Sequence, residues 1–376
     1  MRVLVNAVAA RRGGGASNLV PYMRELAQHM SDSTFAVYIT KDFSDRVPLD
    51  QIEWREVDVP AGIQPRRLLW DNVTIPKLSR DFDAVLSPLN FGPVFTRRPH
   101  VLLQRNILYF DRETCRAMPA KRRMAMAGYR WLAAIGMNTA DVVVVPSQAM
   151  ADAVSPYILR RAKVRVALHG FDRHVMRRDG SHLPETANAW RTASIRLLHV
   201  GSPAAHKNLQ SLVRTLATVK ALSPAETVRL AVTFDESASD VAAVAFCTLA
   251  GELGVRDDIS FLGTLPHDAA LALYDPASVL LFPSTCESFG FPVLESLAAG
   301  TLVVASDLPA LREVGGRFAR YHDRNDSARA ADLVIEALAN APDASERRAM
   351  DLWVDGFSLD REVAVVARAL SAAVTI

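Results

Sequence analysis

The sequence is short of what would make it a disulfide scaffold, a metal cage or a membrane-spanning chain. Its 376 residues hold three cysteines, Cys115, Cys247 and Cys286, odd in number and far apart. They form neither a disulfide framework nor a ligand pattern, which fits a reducing cytoplasm. No apolar run reaches the roughly 20 residues needed to span a bilayer, so any membrane contact would be peripheral. The net charge of +2 is too small for a polyelectrolyte reader of nucleic acid, and any basic function must be local. H-E-x-x-H, G-x-S-x-G and G-x-x-x-x-G-K-[ST] patterns are missing, and the nine histidines show no ligand spacing. The opening MRVLVNAVAA is interrupted by Asn6 and runs into a glycine-rich turn. It therefore reads as the start of a βα unit rather than as a secretory leader.

Hydrophobic residues make up 50% of the chain and charged ones 22%, an ordinary globular balance. The length exceeds what one core usually supports, so two domains are expected. Short runs of Val, Leu and Ile alternate with longer helical patterns. Strands are expected at Val3–Val8, Phe35–Thr40, Glu53–Val57, Ala84–Ser87, Val101–Gln104, Asp141–Pro146 and Lys163–Ala167. A second series is expected at Ile195–Val200, Val228–Thr233, Ile259–Leu262, Val279–Phe282 and Leu302–Ser306. Continuously apolar runs of this length suit strands buried on both faces of a parallel sheet. Alternation with helices predicts an α/β class of two Rossmann-like, doubly wound domains with a ligand cleft at the carboxyl ends of their sheets. The expected boundaries are 1–172 and 192–358, with a Gly/Pro/charge-rich linker at 173–191 and a final helix, 359–376, returning to the first domain.

The segment LLFPSTCESFGFPVLESLAAG carries the densest chemistry. A strand ends at Phe282-Pro283, Gly290 bends the loop, Pro292 opens a helix and Gly300 closes it. Glu287 lies in the loop and Glu295 about one turn into the helix, tilted toward its N-terminus. Both carboxylates can reach one small volume and accept bonds from vicinal sugar hydroxyls. Equally, Glu295 could be a dipole partner and Glu287 a solvated loop residue. Upstream, a strand ends at Gly201-Ser202 and Lys207 stands where a helix opens, a natural point charge for a diphosphate.

Glu287-x7-Glu295, set in E-S-F-G-F-P-V-L-E, resembles the signature of retaining glycosyltransferases of family four (glycosyl transferases group 1), which have the GT-B fold. Ala299-Gly300, Leu302–Asp307 and Glu313-Val314 agree with it. The resemblance implies a donor site in the second domain. Glu295 would hold the nucleotide ribose, Glu287 the donor sugar's hydroxyls, and the backbone at Phe289, Gly290 and Phe291 the sugar and phosphate. The Gly263-Thr264-Leu265 turn would lie near the base. Lys207 would hold the diphosphate, but Ser202 stands where the family has an arginine. The glycine loop of the first domain, here Gly14 and Gly15, would face the diphosphate. The family often has a histidine in the loop after the fifth strand. This chain offers Arg105 and Asn106 there, one suited to a phosphate, the other to an acceptor hydroxyl.

Lys121, Arg122 and Arg123 open a basic, Met- and aromatic-rich helix that suits either an anionic lipid surface or a solvated domain face. Asp81-x-Asp83 precedes a strand at the wrong end of the sheet for a metal-diphosphate site. The expectation is a cytoplasmic, metal- and cofactor-independent retaining hexosyltransferase, reaching the inner face of the plasma membrane. It would use a GDP-mannose or UDP-hexose type donor and a glycan or lipid-linked acceptor in cell-surface polysaccharide or glycolipid synthesis. A nucleotide-sugar epimerase and a non-catalytic carbohydrate-binding homologue are the alternatives.

Overall fold

The computed structural model describes residues 1–10, 19–41, 43, 48–160, 163–171 and 183–375. The chain divides into two compact units, Met1–Phe171 with Phe357–Ile376, and Asp172–Gly356.

The first unit carries β1 (Arg2–Asn6), β2 (Thr34–Thr40), β3 (Ile52–Val57), β4 (Ala84–Ser87), β5 (His100–Leu103), β6 (Val142–Val145) and β7 (Val164–Val166). They form one sheet in the order β3-β2-β1-β4-β5-β6-β7, and every pairing is parallel. Side chains alternate across the pleat. Val3 and Val5 face the core shared with α1 (Leu19–His29) and the last helix (Leu359–Thr375), whereas Leu4 packs with Trp70, Ile75 and Phe82 on the other side. Farther along the sheet, α2 (Ala120–Thr139) sets Ala133 and Met137 against Leu102 and Val143. Both faces are covered, which is why the central strands are largely apolar, whereas the edge strands β3 and β7 carry exposed charged residues.

The last helix reaches this sheet along a narrow route. Phe171 N–H donates to the Phe357 carbonyl at 3.2 Å, and Phe171 and Ser358 form a parallel bridge. Gly170 lies directly beneath the returning backbone. A Cβ there would meet the Ser358 carbonyl carbon at 2.2 Å and the Leu359 nitrogen at 2.3 Å. Beyond this crossing Val363, Val366 and Leu370 are fully buried; each contributes about 1.5–3 kcal/mol of hydrophobic stabilisation.

The second unit carries β8 (Ile195–His199), β9 (Val228–Val232), β10 (Ile259–Phe261), β11 (Ser278–Phe282), β12 (Leu302–Ser306) and β13 (Arg320–His322). Their order is β10-β9-β8-β11-β12-β13, again parallel throughout. The strand that sequence missed is β13, a three-residue edge strand, RYH, with no apolar run. Residues expected in the linker are partly built into this unit. Glu185–Ala187 and Asn188–Arg191 are helical, and Trp190, 2% exposed, donates its indole N–H to the Leu197 carbonyl at 2.7 Å. Residues 173–182 of that segment lie outside the described residues.

In each sheet the strand order reverses once, at β1/β4 and at β8/β11. At such a point neighbouring loops diverge and leave a crevice at the carboxyl ends. Gly170→Ala should destabilise the first unit by roughly 3 kcal/mol, because the clash is with backbone and cannot relax by rotamer change. The check is hydrogen exchange, with loss of protection concentrated in residues 359–375.

Candidate functional site

The reversal in the second sheet is where chemistry-bearing side chains meet. After β8 the chain makes one 3-10 turn, Ala205–Lys207. Asn208 then adopts a left-handed conformation (φ 52°) before α3 (Leu209–Leu222) begins. Lys207 therefore precedes the helix rather than opening it. After β11 the loop 283–290 returns toward this turn, and the Thr285 N–H donates to the His206 carbonyl at 2.7 Å. The two loops, fixed to one another by backbone, bring Lys207 Nζ to 2.6 Å from Glu287 Oε1. Both side chains are mostly buried, at 15% and 13% exposure. The ammonium also lies 4.8 Å from the centre of the Phe282 ring, a cation–π position.

Beneath Lys207 is His199, the fully buried last residue of β8. Its Nδ1 faces the Leu281 carbonyl at 3.1 Å. A carbonyl only accepts, so Nδ1 carries the proton and Nε2 presents a lone pair. Nε2 has no hydrogen-bond partner among the described residues. Burial holds the His199 pKa down to about 4, and Lys207 pushes the same way.

The loop ends in α4 (Phe291–Ala299). Gly290 caps it at φ 108°, a left-handed conformation only glycine takes without strain. Phe289, 2% exposed, packs edge-on to Phe291 at 5.2 Å between ring centroids. Glu295 lies in this helix but does not join the Lys207–Glu287 pair. Its carboxylate accepts from the Tyr274 hydroxyl at 2.7 Å. Burial raises its pKa against the opposing pull of Tyr274 and His267. Glu287 and Glu295 thus have separate partners: Glu287 faces a cation at the strand switch, and Glu295 faces a phenol beside His267, among the residues that follow β10.

A profile of the family described as glycosyl transferases group 1 matches residues 186–351. The second unit is a glycosyl transferases group 1 domain. Curated relatives match over shorter stretches. The O-antigen chain mannosyltransferase RfbU of Salmonella typhimurium is 32% identical over 96 residues, 26% of this chain and 27% of the relative. The D-inositol 3-phosphate glycosyltransferase of Corynebacterium aurimucosum is 27% identical over 211 residues, 53% of this chain and 50% of the relative. The chain thus spans about half or less of the length of these relatives. The Anabaena protein HepE, solved in complex with UDP-glucose, aligns over 99% of this chain and 100% of its own with a TM-score of 0.70 at 17% identity. That likeness shows the fold: both units are the Rossmann-like parallel-sheet units of the GT-B class.

In the group 1 domain, the Gly263-Thr264-Leu265 turn follows β10. Gly263 has φ 70°, and a Cβ there would lie 3.0 Å from an Asp235 carboxylate oxygen. Ser202 is exposed, and its carbonyl accepts from the Ala204 N–H at 2.8 Å. The first unit holds the remaining candidates. Gly14 and Gly15 lie outside the described residues. Asn106 is committed locally, its side-chain oxygen accepting from the Leu108 N–H at 3.0 Å to cap a 3-10 turn. Arg105, expected as a phosphate-binding residue of this loop, donates its guanidinium to Glu362 of the last helix at 2.9 Å. In α2, Lys121, Arg122 and Arg123 are exposed, as are Met124 (74%) and Trp131 (69%). Asp83 accepts from the Arg2 N–H at 2.7 Å, at the amino ends of the strands. Among the described residues, Glu25, His29 and Asp360 form the group whose ligand atoms lie near enough for a metal, and it is largely exposed.

Sequence reasoning passed over His199, Tyr274 and Glu362. A histidine ending an apolar strand just before a Gly turn was a usable signal; Tyr274 and Glu362 gave none. His199 and His100 have folded pKa values of about 4 against 6.5 when unfolded, chiefly through burial. The unfolded chain therefore binds protons first as pH falls from 6.5 toward 4, and stability drops across that window. The upper bound is about 3 kcal/mol per histidine. Urea denaturation between pH 7 and pH 4 measures the slope, and His199→Gln should remove that residue's share.

Proposed function

We propose that this protein is a retaining, metal-independent hexosyltransferase that takes a sugar from a nucleotide-diphosphate donor of the UDP-hexose or GDP-mannose type. The acceptor is a glycan or lipid-linked hydroxyl. The observation that carries the reading is the Lys207–Glu287 pair over the β8/β11 reversal.

The residues suggest how each would act. A diphosphate entering at the strand switch displaces Glu287 from Lys207. The freed carboxylate then accepts from sugar hydroxyls while the ammonium neutralises the phosphate. As the anomeric C–O bond breaks, negative charge grows on the diphosphate oxygen. Lys207 and the backbone N–H groups before α4 stabilise it where they already stand. The acceptor oxygen bonds the same face of the sugar, and its proton passes to the leaving phosphate oxygen, so no strong protein base is required. Glu295, kept in place by Tyr274, is suited to the ribose hydroxyls, and the turn at Gly263 to the base. The α2 face bearing Lys121, Arg122, Arg123, Met124 and Trp131 combines cations with exposed apolar side chains. That chemistry suits an anionic lipid surface presenting the acceptor, at the inner face of the plasma membrane.

Two substitutions separate the roles. Lys207→Ala should weaken UDP or GDP binding about 10- to 100-fold, the worth of a charge-assisted hydrogen bond. Glu287→Ala should leave nucleoside diphosphate binding equal or tighter, because it removes the competitor for Lys207, yet lower turnover of the nucleotide sugar at least 100-fold. Calorimetry with UDP and GDP, and release of nucleoside diphosphate from UDP-glucose and GDP-mannose, provide the readouts. A native protein that binds neither nucleotide would sink the proposal.

A further inference from the structure

The first unit contains a buried charge cluster that the reading above leaves unused. Glu362, in the first turns of the last helix, is 4% exposed. One carboxylate oxygen accepts from Arg105 Nη2 at 2.9 Å and lies 2.9 Å from His169 Nδ1; the other accepts from the Gly170 N–H at 2.9 Å. Burial alone would raise the Glu362 pKa, but His169 and Arg105 outweigh it and hold it below the ordinary value. Three polar groups thus surround the carboxylate. The guanidinium donates a single bond, from Nη2, to Glu362 and remains 22% exposed.

Arg105 is held from two further directions. Its backbone N–H donates to the Asn90 side chain at 2.8 Å. Asn90 itself sits at φ 61° in the loop after β4. The guanidinium carbon lies 5.2 Å from the centre of the Tyr22 ring in α1. Arg105 follows β5 and His169 follows β7, so the cluster occupies the carboxyl ends of the sheet, the ligand end of a parallel fold.

An ion cluster this buried costs desolvation, and apolar side chains of equal volume generally stabilise at least as well. Burial that leaves one cation half-available therefore points to positioning. A planar guanidinium with a fixed edge suits a phosphate better than a mobile ammonium does.

We propose that Glu362 is a positioning residue that fixes Arg105 as a phosphate-reading side chain of the first unit. The last helix is then part of the functional machinery and not only a cover for the sheet. This deepens the transferase reading and rests on it for the identity of the ligand. The phosphate belongs either to the nucleotide donor or to a lipid-phosphate acceptor.

Arginine side-chain NMR on the full chain tests the assignment, with signals assigned by Arg105→Lys and ligands added separately as UDP, GDP and decyl phosphate. The expected result is hindered guanidinium rotation at Arg105 in the free protein and a shift of its signals with at least one ligand. Glu362→Gln should free the rotation and weaken that ligand about tenfold. Protection of residues 359–375 against hydrogen exchange should persist. Glu362→Asp should recover part of the affinity, and Glu362→Gln combined with Arg105→Lys should cost no more than the worse single change. Arg105 signals unmoved by all three ligands, or unchanged affinity in Glu362→Gln, would overturn the proposal. The two readings fail separately. UDP or GDP binding with Arg105 unmoved by all ligands keeps the donor reading and removes this one. A response to decyl phosphate alone, with no nucleotide bound, does the reverse.

Discussion

Lys207 and Glu287 neutralise each other where β8 and β11 part, and the chemistry proposed for the second unit depends on that contact. Neither charge is well solvated, so each needs the other. Their geometry is set by backbone, through the Thr285 N–H to His206 carbonyl bond, and not by side-chain preference alone. The contact leaves the pair without net charge. Under the transferase reading proposed above, an anion that enters would gain a cation already held over Phe282 and release a carboxylate at the same moment, so one displacement would create both halves of a sugar-phosphate receptor. His199 beneath them stays neutral because burial disfavours its charged form, and it adds no competing cation.

The two units share a topology but assemble their polar clusters by different means. In the second, the loops after two adjacent strands suffice, because β8 and β11 pair directly. In the first, Arg105 finds its partner 257 residues away, on a helix that must cross the chain at Gly170. A cluster built this way exists only once the last helix has docked. The apolar face of that helix, Val363, Val366 and Leu370, supplies the stabilisation that offsets burying Glu362 one turn away.

Burial and periodicity explain why most of the architecture could be read in advance. Strands covered on both faces must be continuously apolar, and those runs stand out between amphipathic helices. β13 escaped because an edge strand needs less burial and can be short and polar. The Gly290 and Gly300 caps were also legible, since positive φ values of 108° and 78° demand glycine. Helix phase was harder. The spacing of Glu287 and Glu295 was visible, but the Tyr274 hydroxyl that binds Glu295 was not.

The sequence by itself determined the class of fold, the strand order's raw material, the glycine-capped turn into α4 and the presence of an acid pair near a lysine. Apart from the lysine, which is 80 residues from Glu287, these are properties of neighbours along the chain, governed by local sterics and by the period of apolar residues. Only the tertiary structure decided that Lys207 binds Glu287, that Glu295 turns to Tyr274, and that Arg105 is claimed by Glu362. Those partners are chosen by which buried charge lies within reach once the sheets and the last helix are packed. Desolvation enforces that choice, and it acts on positions in space and leaves no periodic mark on the chain.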